Sequence, residues 1–163
     1  MSIYLAESIA ACGEQHTVIV RRDGGFIYYC GYNGYYQLGT GRTTNASSFL
    51  YSAQNPPIID VACGDRHTIL VRRDGTVSGC GYNANGQMGM GHTSNLTVWT
   101  TLAITEVEKV YCGAAHTFFV KNDHTVWACG SSGYGQLGLG KTGNVTQPEK
   151  VAIDDVKTIA CGE

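Results

Sequence analysis

Histidine and cysteine recur together three times along the chain, four residues apart in each copy. The pairs are Cys12 and His16, Cys63 and His67, and Cys112 and His116. Such side chains can bind zinc, and a thiolate beside an imidazole can act as a nucleophile. Structural zinc sites use more compact pairs, however, and an active site is normally present once. The pattern therefore favours a structural role in which the imidazole and the following threonine hydroxyl satisfy backbone groups, and it predicts no catalytic residue and no metal.

A second segment with chemical potential is residues 135–142, which match the nucleotide-binding pattern G-x-x-x-x-G-K-T. That motif binds phosphate because a helix follows the loop and points its N–H groups at the ligand. Here the next residues read GNVTQP, which is a poor start for a helix. The other copies of this segment have Arg42 and His92 where this one has Lys141. We therefore interpret the segment as a variable turn and predict no cofactor.

The composition limits the function classes. Charged residues make up 15% of the chain against about 25% in typical globular proteins, there are 22 glycines, and the net charge is −2. Such a chain suits short strands and tight turns, and it lacks the strongly basic face of a nucleic-acid binder.

No segment approaches the apolar length of a membrane helix, and we identify no signal peptide. Seven cysteines cannot all pair within one chain. We expect an intracellular protein, cytoplasmic or nuclear, without a membrane partner.

Two sequence blocks repeat in phase and divide the chain. The first block reads ACGEQHT at 11–17, ACGDRHT at 62–68 and YCGAAHT at 111–117, and a fourth copy begins at 160. The second block begins at Cys30, Cys80 and Cys129. We predict one repeat array over 1–163, with repeats at about 11–61, 62–110 and 111–159 and a partial fourth from 160. Its structural motif residues are Gly13, His16, Thr17, Gly64, His67, Thr68, Gly113, His116 and Thr117.

The repeats are predicted to be all-β, with three four-stranded units. Apolar runs at 17–22, 68–73 and 117–122 lead into hairpin tips, and strands at 26–30, 76–80 and 125–129 return from them. Residues 58–62, 106–111 and 155–160 are predicted to close the units. The third tip has His124 where the second has Gly75, so His124 is expected to adopt a positive φ. Since a sheet this small cannot bury its apolar face alone, the units should stack as β-propeller blades, with a solenoid as the alternative.

The paired blocks C-G-x-x-H-T and C-G-Y-N-x-x-G-Q-L-G-x-G resemble the regulator of chromosome condensation repeat family over about residues 3–163. The resemblance implies a β-propeller, commonly of seven blades. Members serve as interaction scaffolds, exchange factors for small GTPases, ubiquitin-ligase modules or light sensors. Gln15, Arg66 and Ala115 stand where the light-sensing member has Trp, so that photochemistry is not expected. The leading cysteines are 51, 49 and 49 residues apart, which leaves no room for the inserted hairpin of the exchange factors.

Three units are fewer than the four to eight blades of most propellers. The chain is therefore expected to be part of a larger propeller, or to form a homodimer in which the terminal strand of one copy completes a blade of the next.

Exposed aromatic and basic residues are the predicted working surface, since Tyr and Arg are enriched at binding hot spots. The candidates for contact with a protein partner are Tyr32, Tyr35, Tyr36, Tyr82, Tyr134, Arg21, Arg22, Arg72 and Arg73. We expect a non-catalytic interaction module that binds a protein through blade loops. The alternative, by family analogy alone, is nucleotide exchange on a small GTPase.

Overall fold

The computed structural model describes residues 9–163 except Arg22 and Gly24, and the described residues form twelve β-strands and no helix. The strands are β1 (Ile9–Cys12), β2 (His16–Val20), β3 (Phe26–Gly31), β4 (Ala46–Ala53), β5 (Ile58–Cys63), β6 (His67–Arg72), β7 (Val77–Gly81), β8 (Leu96–Thr101), β9 (Val107–Cys112), β10 (His116–Lys121), β11 (Thr125–Gly130) and β12 (Val145–Asp154).

Consecutive strands pair antiparallel in three four-stranded sheets. We call these sheets blade 1 (β1–β4), blade 2 (β5–β8) and blade 3 (β9–β12). Within each blade the spatial order of the strands is their order along the chain. The prediction of an all-β fold made of four-stranded blades is therefore confirmed.

The apolar core lies between the blades. Val18 and Ile27 of blade 1 pack with Val61 and Leu70 of blade 2 in one buried cluster. A second cluster joins blade 2 to blade 3, and there Phe119 is fully buried. Successive side chains of a strand point to opposite faces, so each blade offers one apolar face to the blade before it and one to the blade after it.

The prediction that residues 58–62 and 106–111 close the preceding units is wrong. These segments are β5 and β9, and each pairs as the first strand of the following blade. The outermost strands are instead β4, β8 and β12, which the sequence suggested to be polar loops. Most residues of β4 are exposed and none is buried, and β8 has one buried residue. These strands therefore lack the alternation of buried apolar and exposed polar residues by which a strand is recognised in a sequence. Residues 155–160 contain no strand.

The hairpin tips behave as the sequence indicates. His124 has φ 65°, close to the 79° of Gly75, which confirms the expected positive φ. The aspartate before each of these residues accepts a bond from the backbone two residues later, at 3.0 Å for both Asp74 and Asp123. This local bond fixes the turn whether or not glycine occupies its tip. Gly24 of the first tip lies outside the described residues.

Candidate partner-binding site

The repeated histidines and threonines meet between blades. His16 Nε2 of blade 1 lies 2.9 Å from Thr68 Oγ1 of blade 2, and that hydroxyl donates to the Gln37 carbonyl of blade 1 at 2.8 Å. Because the only proton of the hydroxyl is given to Gln37, the imidazole must donate through Nε2. We call this arrangement of histidine, threonine and glutamine carbonyl the interblade clamp.

The clamp is repeated one blade further along. His67 Nε2 lies 3.2 Å from Thr117 Oγ1, which donates to the Gln87 carbonyl at 2.9 Å. A cysteine thiol adds to each clamp, since Cys80 Sγ lies 3.2 Å from the Gln37 carbonyl and Cys129 Sγ occupies the same place beside Gln87 at 3.3 Å. The imidazole thus bonds to a threonine of the next blade, whereas the sequence suggested that it would bond to backbone groups.

Burial controls the protonation of these groups. It lowers the pKa of His16 to about 4, and it lowers that of His67 to about 3 with a further contribution from the neighbouring His16 and His116. It also raises the pKa of the Cys63 thiol to about 12 and raises that of Cys112 well above its ordinary value. The imidazoles are therefore neutral at physiological pH. These thiols stay protonated, the form in which cysteine is a poor nucleophile.

The glycines of the first block allow the blades to approach closely at the inner rim. A Cβ on Gly64 would lie 2.6 Å from the Gly113 carbonyl oxygen and would also collide with the ring of His67. A Cβ on Gly113 would lie 2.6 Å from the Gly162 carbonyl oxygen. The side chain is excluded because the neighbouring backbone and imidazole fill its place.

The antiparallel blades have two distinct ends. We call one the loop face; it carries the β1–β2 type turns (13–15, 64–66 and 113–115) and the β3–β4 type loops (32–45, 82–95 and 131–144). The other, the hairpin end, carries the β2–β3 type tips and the connections between blades. The five candidate tyrosines lie on the loop face, whereas Arg21, Arg72 and Arg73 lie at the hairpin end. The structure therefore does not unite them in one contact zone, and Arg22 lies outside the described residues.

The arginines at the hairpin end are partly engaged within the chain. Arg21 pairs with Asp23, and its guanidinium lies 4.3 Å from the centre of the Phe26 ring. Arg72 donates to Ser78 Oγ at 2.6 Å and to a second side chain on the connection to blade 2. Arg73 is exposed. These contacts leave fewer free donors at this end than the sequence suggested.

On the loop face, three tyrosines and an arginine form what we call the tyrosine–arginine cluster: Tyr32, Tyr35, Tyr82 and Arg66. The Tyr35 ring lies edge-on to Tyr82 at 5.2 Å and to Tyr32 at 6.2 Å. The Arg66 guanidinium lies 4.7 Å from the centre of the Tyr35 ring and donates to its hydroxyl at 3.3 Å. Glu14 lies 3.6 Å from Arg66. The cluster spans the boundary between blades 1 and 2, and all three rings are half-buried.

Sequence reasoning missed Arg66 and Glu14 as members of this surface. Both lie at the variable positions inside the first block, where the copies read EQ, DR and AA. Variation inside an otherwise constant turn was the available signal. The other two candidate tyrosines lie apart from the cluster: Tyr36 is half-buried with φ 68°, and Tyr134 on blade 3 is 97% exposed.

The segment that matches the nucleotide-binding pattern runs into strand β12, not into a helix. Lys141 bonds to Glu149 of that strand at 2.7 Å.

Among residues 9–163 without 22 and 24, no three or more His, Cys, Asp or Glu side chains are grouped closely enough to hold a metal ion. The same residues contain no helix of the length and apolarity that a membrane crossing requires. All seven cysteines are free thiols.

Comparison with solved structures finds the same fold in longer chains. Human WBSCR16 is 26% identical with a TM-score of 0.75, and the match covers 89% of this chain and 39% of that one. Prp20p from Saccharomyces cerevisiae, described with its binding to Gsp1p and histones, is 20% identical with a TM-score of 0.76, covering 88% and 38%. Yeast RCC1 (Prp20) bound to Kap60 is 19% identical with a TM-score of 0.80, covering 92% and 37%. This chain therefore spans about two fifths of the length of each.

No curated protein matches the sequence. The repeat family described as "Regulator of chromosome condensation (RCC1) repeat" matches residues 24–71, 74–120 and 123–163, and a second description of the same repeat matches 58–87 and 107–136. The matched segments cover most of the chain and contain His67, Thr68 and Thr117 of the clamps and the glycine-rich loop of each blade, whereas His16 lies before the first matched segment. The chain belongs to the RCC1 repeat family, and its fold is that of β-propeller blades.

Proposed function

We propose that this chain is a non-catalytic interaction module and that its loop face binds a protein partner through the tyrosine–arginine cluster. The observation that carries this proposal is the packing of Tyr35 between Tyr82 and Arg66, at the boundary of two blades. The rings hold one another in place, so little conformational entropy is lost when a partner covers them. Tyrosine and arginine are also the residues most often found at the centre of protein interfaces.

The charges around the cluster favour a polar partner surface. The Arg66 side chain is 43% exposed, and Glu14 beside it is 45% exposed. Asp65, the neighbour of Arg66, also lies on the loop face, and burial and the nearby Glu14 and Glu163 raise its pKa. A partner that presents both a donor and an acceptor would meet Glu14 and Arg66 together. Exposed pairs of this kind contribute more to specificity than to affinity.

The non-catalytic part of the proposal is supported by the state of the repeated cysteines and histidines. The thiols of Cys63, Cys80 and Cys112 have raised pKa values, and the imidazoles of His16 and His67 have lowered ones, all mainly through burial. Catalysis by a cysteine and a histidine requires the opposite, a thiolate beside a histidine that can accept or carry its proton. The same groups are instead used to join one blade to the next.

Photo-cross-linking tests the proposal directly. A benzophenone amino acid at position 84, an exposed alanine on the loop face, leaves the cluster intact, and the same probe at Asn122 reports on the hairpin end. We expect one protein from a cell extract to be cross-linked from position 84 and not from position 122, and the adduct to be lost in Arg66→Ala. An adduct that forms equally from both positions, or that survives Arg66→Ala and Tyr35→Ala together, would exclude the cluster as the binding site.

Nucleotide exchange on a small GTPase is the alternative that the family suggests, and Prp20p is described with its binding to Gsp1p. Release of a fluorescent guanine nucleotide from purified small GTPases, with and without this chain, separates the two functions. Faster release that is lost in Arg66→Ala would favour exchange. Unchanged nucleotide release at micromolar concentrations of the chain would contradict the exchange function and would be compatible with a binding function alone.

A further inference from the structure

A cleft of about 320 Å³ opens at the outer rim of the boundary between blades 2 and 3, and we call it the interblade cleft. Its apolar walls are Met90 of the β7–β8 loop, Ile104 of the connection to blade 3, Trp127 of β11 and Pro148 of β12. Lys121, at the end of β10, is the one charged residue among the described residues that line it. Both blades belong to this chain and pack directly on each other, so the cleft is a feature of a complete blade boundary.

The boundary between blades 1 and 2 shows what lies at the same place when the chain fills it with its own side chain. Trp99 of β8 is equivalent to Pro148 of β12, because each lies three residues beyond the residue that pairs with the glycine ending the third strand. A Cβ on Gly39 would lie 2.6 Å from Trp99 Nε1, so the indole ring lies directly on the loop of blade 1. Pro148 lies on Gly89 in the same way, but its small ring leaves room where the indole would extend.

The residues around this place differ between the two boundaries in one direction, from small or polar to large and apolar. Between blades 1 and 2 they are Thr40, Asn55 and Ser78, and at the equivalent positions between blades 2 and 3 they are Met90, Ile104 and Trp127. The three apolar residues are half-buried and pack against the core that blades 2 and 3 share. Apolar side chains left partly open to water in a concave surface are typical of a ligand site.

The ring of Trp127 is held in place within the chain itself. Its Nε1 donates to Thr125 Oγ1 at 2.9 Å, and the Lys121 ammonium lies 5.5 Å from the centre of the ring, within the range of a cation–π attraction. A ring that is already ordered loses little conformational entropy when another aromatic ring packs on it.

Lys121 gives the cleft a positive charge that is only loosely paired. Its ammonium lies 3.4 Å from the Glu106 carboxylate, and Lys121 is 19% exposed whereas Glu106 is 74% exposed. The equivalent residue of blade 2, Arg72, instead donates to Ser78 and Gln54. Because an ion pair with an exposed carboxylate contributes little, a ligand carboxylate can displace Glu106 from Lys121.

We propose that the interblade cleft binds a short segment of a partner protein in which an aromatic residue adjoins Asp or Glu. The aromatic ring packs on Trp127, in the role that Trp99 has between blades 1 and 2, and the carboxylate bonds to Lys121. The volume of the cleft is near the lower end of that of ligand pockets, about 300–1,000 Å³, which suits one ring and its neighbour. The site does not depend on the proposed binding by the tyrosine–arginine cluster, which lies at the other blade boundary.

Selection of short random peptides displayed on phage, with the purified chain as the target, tests this proposal without a known partner. We expect the selected peptides to carry Phe, Tyr or Trp next to Asp or Glu and to bind with a micromolar Kd in isothermal titration calorimetry. The chain has two tryptophans, so its NMR spectrum has two indole N–H signals. The signal of Trp127 should shift when a selected peptide is added, and that of Trp99 should not.

The charge contact is tested by pairing a change in the chain with a change in the peptide. Lys121→Met keeps the length of the side chain and should weaken binding of a selected peptide at least about tenfold. Replacing the acidic residue of the peptide by its amide should weaken binding to the parent chain by a similar factor and should have little effect on binding to Lys121→Met. Glu106→Gln removes the competing carboxylate and should tighten binding.

The shape of the cleft is tested by giving this boundary the residues of the other one. The double variant Trp127→Ser and Pro148→Trp places there the equivalents of Ser78 and Trp99, and we expect it to fold, as judged by circular dichroism, and to lose the peptide. Tyr134→Ser, at a fully exposed position of the same blade, is the matched control and should bind the peptide like the parent chain. If the double variant does not fold, Ile104→Asn, which copies Asn55, changes one wall of the cleft alone.

Three results would overturn the proposal. The first is a selection that yields no peptide with an aromatic residue beside an acidic one. The second is a peptide affinity that is unchanged in Lys121→Met and in the folded cleft variant. The third is binding that is lost in Arg66→Ala, which would place the peptide on the tyrosine–arginine cluster instead.

Discussion

The Nε2 atom of His16 lies 2.9 Å from the hydroxyl of Thr68, a residue 52 positions later in the chain and in the next blade. This contact joins two sheets, each of which has its own antiparallel strand pairing. The apolar faces could slide past one another, because burial of apolar area has little directional preference. The clamp does have a direction, so it fixes how one blade is placed on the next.

Thr68→Val should reveal the contribution of the clamp. Valine has nearly the shape of threonine, so packing is retained while the His16 Nε2–H loses its acceptor in a buried place. A buried donor left unpaired costs about 1–3 kcal/mol of the free energy of unfolding. Urea denaturation measures this loss. Thr17→Val, at the equivalent position on blade 1, is the matched control and should change stability little, because the Thr17 hydroxyl contacts only Cys12 Sγ, at 3.9 Å, among the described residues.

The buried histidines predict that stability declines in acid. The pKa values of His16 and His67 in the folded chain, about 4 and about 3, lie below the ordinary value of 6.5 expected on unfolding. Between pH 6.5 and 4 these two histidines therefore bind protons in the unfolded chain but stay neutral in the folded chain. The free energy of unfolding should change little between about pH 7 and 8 and should fall by about 1.4 kcal/mol per pH unit for each histidine below pH 6.

Urea denaturation at several pH values from 7 to 5 tests this dependence in a range where most carboxyl groups stay ionised. His67→Gln should reduce the slope by the share of one histidine, and His16→Gln serves the same purpose if the first variant does not fold. An equal slope in the parent chain and in both variants would show that the clamp imidazoles are not the source.

Gly64→Ala should be among the most damaging single-methyl changes in the chain. The added Cβ would lie 2.6 Å from the Gly113 carbonyl oxygen, and neither this backbone nor the His67 ring can move without opening the contact between blades 2 and 3. We expect a loss of at least about 2 kcal/mol, as in overpacked cores. Gly133→Ala, where a Cβ meets no described atom within 4 Å, is the control and should be nearly neutral in thermal unfolding.

The repeat, the all-β fold and the positive φ of His124 could be predicted from sequence because each depends on local or periodic patterns. The assignment of β5 to the following blade could not, because an inner strand shows the same apolar run whichever neighbour it pairs with. The separation of Arg72 from Tyr35 onto opposite ends likewise depends on strand direction. The place of Arg66 in the cluster could not be predicted from the sequence, because it depends on a contact with Tyr35, 31 residues away.

One departure from the repeat pattern offers a way to strengthen the chain. In blades 1 and 2, Asn33 and Asn83 are buried inside the β3–β4 type loop, where each side chain accepts a backbone N–H at 2.9 Å and donates to two carbonyls across the loop. Blade 3 has Ser132 at this place, and its buried hydroxyl has no hydrogen-bond partner among the described residues. A serine is too short to reach across the loop.

Ser132→Asn should therefore supply the missing bonds. Its amide can donate to the carbonyls of Lys141 and Gly143, which occupy the positions of Arg42 and Thr44 in blade 1. Each net hydrogen bond contributes about 1 kcal/mol, so we expect the free energy of unfolding to rise by about 1–2 kcal/mol, measured by urea denaturation. Ser131→Asn, at the half-buried neighbouring position, is the control and should give no gain. A loss of stability in Ser132→Asn would mean that the loop of blade 3 cannot close around an asparagine as the other two loops do.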